Sequence, residues 1–135
     1  MSVPPWAARY IGLPFLEHGR DIYGLDCWGL VRLVLKEEFD IDVPSYTENY
    51  SSTLAQEEIG DFVPNVAKDW QDIPLGEEKP GDVLVMRMRG QPMHVGMILG
   101  NRRMLHIEQG INSAIEPYRS SRWINRLVGV YRYSQ

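Results

Sequence analysis

The hydrophobic pattern of this chain of 135 residues changes period once, and the change divides it into a helical part and a strand-rich part. In "DCWGLVRLVLKEEFD" (residues 26–40) the apolar positions Leu30, Val31, Val34 and Leu35 recur at helical spacing. Asp26 is a good N-cap, so a helix is predicted to start there and to stop near Asp40. After the turn "EKPGD" the helical period is gone. The runs "VLVMRM" (83–88), "HVGMILG" (94–100), "RMLHIEQ" (103–109), "SAIEPY" (113–118) and "RLVGVYRY" (126–133) are separated by turn residues and predict five strands. Upstream, Trp6, Ala7, Tyr10 and Ile11 have helical spacing, and a glycine-containing loop from His18 to Gly24 leads into the main helix. One helix followed by a short antiparallel sheet predicts an α+β fold.

Between the two parts, Val43 to Lys79 mixes Pro, Ser, Asn and acidic residues with two short amphipathic pieces, Thr53 to Ile59 and Phe62 to Trp70. This segment, 43–79, reads as an acidic cover or a partner surface within one domain spanning 1–135, the size at which a single core forms. There is no internal repeat. The composition, 44% hydrophobic, 10% aromatic and 24% charged, is that of an ordinary globular protein and excludes disordered and fibrous classes.

The net charge of −4 conceals an asymmetry: residues 37–82 carry thirteen Asp or Glu against two Lys, and residues 83–135 carry eight Arg against two Glu. The arginines alternate with apolar residues and form no cluster. They are therefore expected to face outward and pair with the acidic segment, and no nucleic-acid partner is expected. A single Cys excludes an intrachain disulfide. The start "MSVPPWAARYIGLPF" lacks the pattern of a secretory signal, and no stretch approaches the ~18 apolar residues of a membrane span. Synthesis in the cytoplasm without a signal peptide is expected.

The one cysteine, Cys27, falls in the first turn of the predicted helix. Two readings stand: a small buried hydrophobe heading the apolar stripe, or a nucleophile whose thiol the helix N-terminus shifts below its usual pKa of about 8.5. Gly24 and Gly29 on either side favour access by a substrate backbone. A thiol nucleophile needs a base, and the base needs a partner to fix it. Of three histidines, His18 lies in a glycine-flanked loop and reads as a solvated polar residue, whereas His94 and His106 lie on consecutive predicted strands. A three-residue loop, Gly100 to Arg102, pairs Gly96 with His106 and leaves His94 diagonal to it on one face. A two-residue loop at Asn101 and Arg102 sends His106 to the other face. As a further alternative, Cys27, His94 and His106 are acceptable zinc donors, although no paired ligand spacing accompanies them.

"GLDCWGLVRLV", then "KPGDVLVM", then "MHVGMILGNRRMLHI" together resemble the NlpC/P60 cysteine peptidases, in particular the short versions of bacteriophage tail and tail-tip proteins, over about Tyr10 to Val130. The resemblance implies a papain-like α+β core, with the nucleophile-bearing helix packed on an antiparallel sheet that carries the base. It implies Cys27 as nucleophile, His94 as general base and acid, and His106 as the group orienting His94, with no cofactor or metal. Asp26, Trp28 and Tyr23 are the implied substrate-binding neighbours. Trp28 stands where bacterial members commonly have Ser, and Phe15 where many have a Tyr whose hydroxyl Tyr23 would have to replace. The implied substrate is a peptidoglycan stem peptide and the implied partners are other phage tail proteins, with the virion tail carrying the enzyme to the cell surface. The competing implication is a structural tail-tip or tail-assembly subunit that keeps the fold.

Overall fold

In the computed structural model, residues 2–44, 70–88, 91–108 and 110–133 are described. Both amphipathic pieces expected at Thr53 to Ile59 and Phe62 to Trp70 lie outside them, save Trp70 itself. The helix α1 spans Cys27–Phe39. Asp26 caps it, accepting from the Gly29 N–H, and Asp40 closes it in the left-handed conformation with its own N–H on Leu35 O. Such an N-cap stabilises a helix by about 1 kcal/mol.

Among the described residues there are eight strands: β1 (Arg20–Asp21), β2 (Gly24–Leu25), β3 (Trp70–Ile73), β4 (Val83–Met88), β5 (Gln91–Gly100), β6 (Arg103–Glu108), β7 (Ile111–Pro117) and β8 (Leu127–Tyr133). The first two form a small hairpin, and the other six form one sheet in the order β3-β8-β4-β5-β6-β7. Every pairing between these strands is antiparallel. Residues 5–10 form a 3-10 turn in the region of helical spacing.

The unbroken apolar runs of β4 to β6 have a simple cause: the sheet is covered on both faces. Val83, Val85, Val95, Met97, Leu99, Leu105 and Ile107 pack with Leu30, Val31, Val34 and Leu35 of α1. The alternate residues Leu84, Met86, Ile98 and Met104 pack with Tyr118, Trp123 and Val130 on the other side. By this alternation His94 and His106 belong to the second face.

Three expectations are corrected here. β1, β2 and β3 lack a readable period, being two to four residues long, and exist through their pairings; Trp70, read as the end of an amphipathic piece, begins β3 against β8. The β5–β6 turn is a two-residue turn at Asn101 and Arg102, with φ of 49° and 56°. It nevertheless gives the register expected of the longer loop, because a bulge between Ile98 and Gly100 shifts the pairing to Ile98 with Met104 and Met97 with Leu105. Carried on, this register sets Gly96 across from His106. Finally, the space at Gly29 and Gly24 admits the protein's own chain: a Cβ on Gly29 would lie 2.0 Å from Gly19 O, and one on Gly24 2.6 Å from the Leu16 Cβ.

Among the described residues, the arginines of the second half pair in part as expected. Arg119 meets Glu78 at 3.4 Å and Arg132 meets Asp82 at 2.7 Å. Arg122 instead pairs within its own half, with Glu108 and Glu116.

Candidate active site

The head of α1 is held by a buried carboxylate. Asp26 is fully buried, and its oxygens accept from the Gly29 N–H at 2.7 Å, from Arg20 Nη1 at 2.8 Å and from the His18 N–H at 3.1 Å. The carboxylate thus ties the β1–β2 hairpin to the helix start. His18 departs from the solvated loop residue expected: it is half-buried, at a φ of 58°. Trp28 is buried edge-on against Trp70, with ring centroids 5.7 Å apart, and its indole N–H donates to Pro44 O at 3.0 Å. Tyr23, by contrast, is 84% exposed.

Cys27 is partly buried at the edge of the α1-side core. Its thiol receives the backbone N–H groups of Trp28 and Val95, so the sulfur lies against β5 at the residue following His94. A depressed pKa was expected from the helix start. The structure shows the opposite: burial, followed by the Asp26 charge, pushes the thiol up to about 12 against the pull of the two N–H groups and Arg20. Desolvation of a thiolate outweighs the partial charge of the helix end, and the resting group is a thiol.

The two strand histidines come together. His94 Nε2 lies 2.9 Å from His106 Nδ1, and His106 Nε2 lies 2.6 Å from Glu116 Oε2 on β7. The Glu116 carboxylate also accepts from the Trp123 indole N–H at 2.9 Å and from Arg122 Nη1 at 3.1 Å. Trp123, fully buried, stacks on His94 at 5.5 Å with an interplanar angle of 13° and stands edge-on to His106 at 5.7 Å. Arg122 lies over the Trp123 ring at 4.4 Å and meets Glu108 Oε1 at 2.6 Å.

Glu116, Trp123 and Arg122 were not anticipated from the sequence. A signal was present for Glu116: it is an acid inside an apolar strand, and the β6–β7 register pairs it with Met104, on the face of His106.

Burial, with the neighbouring His106 and Arg122 charges, lowers His94 to about 3, and burial also holds His106 below its ordinary value despite Glu116. Both rings are therefore neutral at pH 7. This sets a pH dependence. In the unfolded chain His94 takes a proton near pH 6.5, whereas in the fold it does so only near pH 3. Between these values the unfolded chain binds the extra proton, so stability is lost as the pH falls. At about 1.4 kcal/mol per pH unit, urea unfolding should show a loss on the order of 2 kcal/mol between pH 6.5 and 4.5, above most carboxylate titration. His94→Gln should flatten this slope, and an equally steep slope in the variant would show that another group causes it.

The zinc set of Cys27, His94 and His106 is not what the structure gathers. Among the described residues the group able to surround a cation is His106, Glu108 and Glu116, whose candidate atoms lie within 4.8 Å of one another. Arg122 already supplies a cation to both carboxylates.

A thiol at a helix head, set against an antiparallel sheet that carries a linked pair of imidazoles, defines a papain-like α+β protein of the cysteine-peptidase class. The NlpC/P60 family model matches residues 12–132, and the chain belongs to the NlpC/P60 family. It is 26% identical over 120 residues to the murein DD-endopeptidase MepS/murein LD-carboxypeptidase of Escherichia coli (strain K12), covering 86% of this chain and 55% of the relative. It is also 26% identical over 127 residues to tail tip assembly protein K of Escherichia phage N15, covering 90% of this chain and 50% of that protein. The chain thus spans about half the length of these curated relatives. Among solved structures, the NlpC/p60 domain of the peptidoglycan hydrolase SagA superposes with a TM-score of 0.64 at 25% identity, over 96% of this chain and 92% of that one. In this family setting, the partly buried cysteine and the His106–Glu108–Glu116 cluster support cysteine-peptidase chemistry. Among the described residues, no helix is long and apolar enough to cross a membrane.

Proposed function

We propose that this chain is a cysteine peptidase that hydrolyses amide bonds in peptidoglycan stem peptides, with Cys27 as nucleophile, His94 as general base and acid, and His106 as the residue that orients His94. The observation that carries the reading is the hydrogen-bonded His94–His106 pair beside the strand position where the Cys27 thiol meets the Val95 N–H. Family membership and the two murein-related relatives favour the substrate.

The reaction starts from the neutral pair. As substrate enters, His94 takes the thiol proton and Sγ attacks the amide carbon, so that a proton is transferred only when the thiolate is used. The oxyanion forms beside the Cys27 N–H, which at the first helical position has no intrahelical acceptor and is free to donate. His94 then gives its proton to the leaving amine as the C–N bond breaks, leaving a thioester. A water molecule deprotonated by His94 attacks the thioester, releasing the carboxylic acid and restoring the thiol.

The setting we propose is a phage tail, which would carry the enzyme to the wall. The likeness to tail tip assembly protein K of Escherichia phage N15 favours it. The same likeness supports a second reading, a tail-assembly subunit that keeps the fold without using the thiol. Incubating the protein with purified peptidoglycan and following new free amines, with mass spectrometry of the released fragments, tests the first reading. Expected are stem-peptide fragments cut at an amide bond, blocked by iodoacetamide and unaffected by a chelator. Intact stem peptides, or inhibition by chelator alone, would overturn it.

A further inference from the structure

We propose that Glu116 is a positioning residue for the Cys27–His94 pair: through its hydrogen bond to His106 it dictates which nitrogen of each imidazole carries the proton, and so presents a bare His94 Nδ1 as the base. The inference rests on the reading of Cys27 and His94 as the reacting groups and extends it by one strand and one turn.

An ionised carboxylate only accepts. Glu116 Oε2, 2.6 Å from His106 Nε2, therefore requires the proton of His106 to be on Nε2. A neutral imidazole protonated there is an acceptor at Nδ1. That atom lies 2.9 Å from His94 Nε2, which must in turn donate. The one remaining lone pair of the two rings is on His94 Nδ1. Each hydrogen bond fixes the direction of the next, as in a triad whose third member sets the tautomer of its histidine.

Two features keep the carboxylate in its accepting role. The Trp123 indole N–H donates to Oε1, and Arg122 Nη1 spans both oxygens, 3.1 Å from Oε1 and 3.3 Å from Oε2, so that His106 takes the shortest bond on Oε2. These donors, with His106, hold Glu116 below the ordinary carboxylate range. The titratable and charged groups of this cluster are His94 from β5, His106 and Glu108 from β6, Glu116 from β7 and Arg122 from the turn after it; Arg122 also bonds Glu108, which fixes its guanidinium between the two acids. Trp123, stacked on His94 and edge-on to His106, covers the His94–His106 bond from that side.

The geometry makes an isosteric change diagnostic. In Glu116→Gln the oxygen is expected at the Oε1 place, because the Trp123 N–H donates there and Arg122 Nη1 lies nearer to that oxygen than to the other. The new amide NH2 would then face His106 Nε2 as a donor. His106 must shift its proton to Nδ1, His94 must accept at Nε2, and His94 Nδ1 acquires the proton. Shape and packing are kept while each bond in the line reverses.

The test is nitrogen-15 histidine NMR on the wild-type protein, Glu116→Gln and Glu116→Asp, with the rate of Cys27 alkylation by iodoacetamide as a second readout and kcat and KM for stem-peptide hydrolysis as a third. In the wild type both rings are expected as Nε2–H. In Glu116→Gln both are expected as Nδ1–H, with alkylation at pH 7 slowed about 10-fold or more and kcat lowered about 100- to 10,000-fold at nearly constant KM. Glu116→Asp should restore the wild-type tautomers and much of the rate. A wild-type spectrum with Nδ1–H on either ring overturns the inference whether or not the variant folds. So does a Glu116→Gln protein with wild-type tautomers or wild-type alkylation. A wild-type protein that shows the expected tautomers but leaves peptidoglycan intact would sink the substrate assignment and keep the inference, so the two failures are distinct.

Discussion

Cys27→Ala is expected to abolish stem-peptide hydrolysis, a loss of about 10,000-fold or more in kcat, while the protein folds and any tail assembly proceeds. The chain has no other thiol to take over the attack. The fold should tolerate the change. The helix start is held by the Asp26 carboxylate and the N–H groups it binds, none of which belongs to the Cys27 side chain. The side chain is only partly buried, so its truncation costs on the order of 1 kcal/mol. Amine release from peptidoglycan, thermal unfolding and electron microscopy of particles carrying the variant measure the three outcomes. Retained hydrolysis would remove Cys27 from the mechanism, and particles without tails would move the protein to the structural reading.

The second large effect is expected at Trp123. It is fully buried, fills the second core beside Met86, Met104 and Tyr118, and bonds Glu116. Trp123→Ala should destabilise the protein by about 3–5 kcal/mol, seen as a fall in Tm of roughly 10–20 °C. The same change uncovers the His94–His106 bond and frees Glu116. The histidines should then titrate closer to pH 6.5 as water reaches them, which histidine proton NMR can follow. Trp123→Phe separates the two roles: most of the ring is kept and the N–H is lost, so most of the stability should return while the Glu116 geometry does not. A Trp123→Ala protein with unchanged Tm and histidine titration would mean that the indole neither packs nor shields as the structure indicates.

Much of the frame was legible in the residues. The α1 boundaries followed from the Asp26 cap and the spacing of Leu30, Val31, Val34 and Leu35, because capping and periodicity are local properties. β4 was read to its observed ends, and β6, β7 and β8 to within two residues, because apolar runs bounded by turn residues need no partner to be recognised. The short strands β1 to β3 were not, since two to four residues carry no period and their existence depends on pairing. The bulge between Ile98 and Gly100 decided the histidine register, and neither loop length alone gave the observed combination.

By itself, then, the sequence determined the α+β class, the family and the three residues on which the proposed chemistry turns, because these lie in local motifs. Tertiary structure alone decided that the thiol stays protonated, that both histidines are neutral, and that Glu116, Trp123 and Arg122 stand behind them. Protonation depends on desolvation and neighbouring charge summed over elements far apart in the chain, and no local pattern of residues contains that sum.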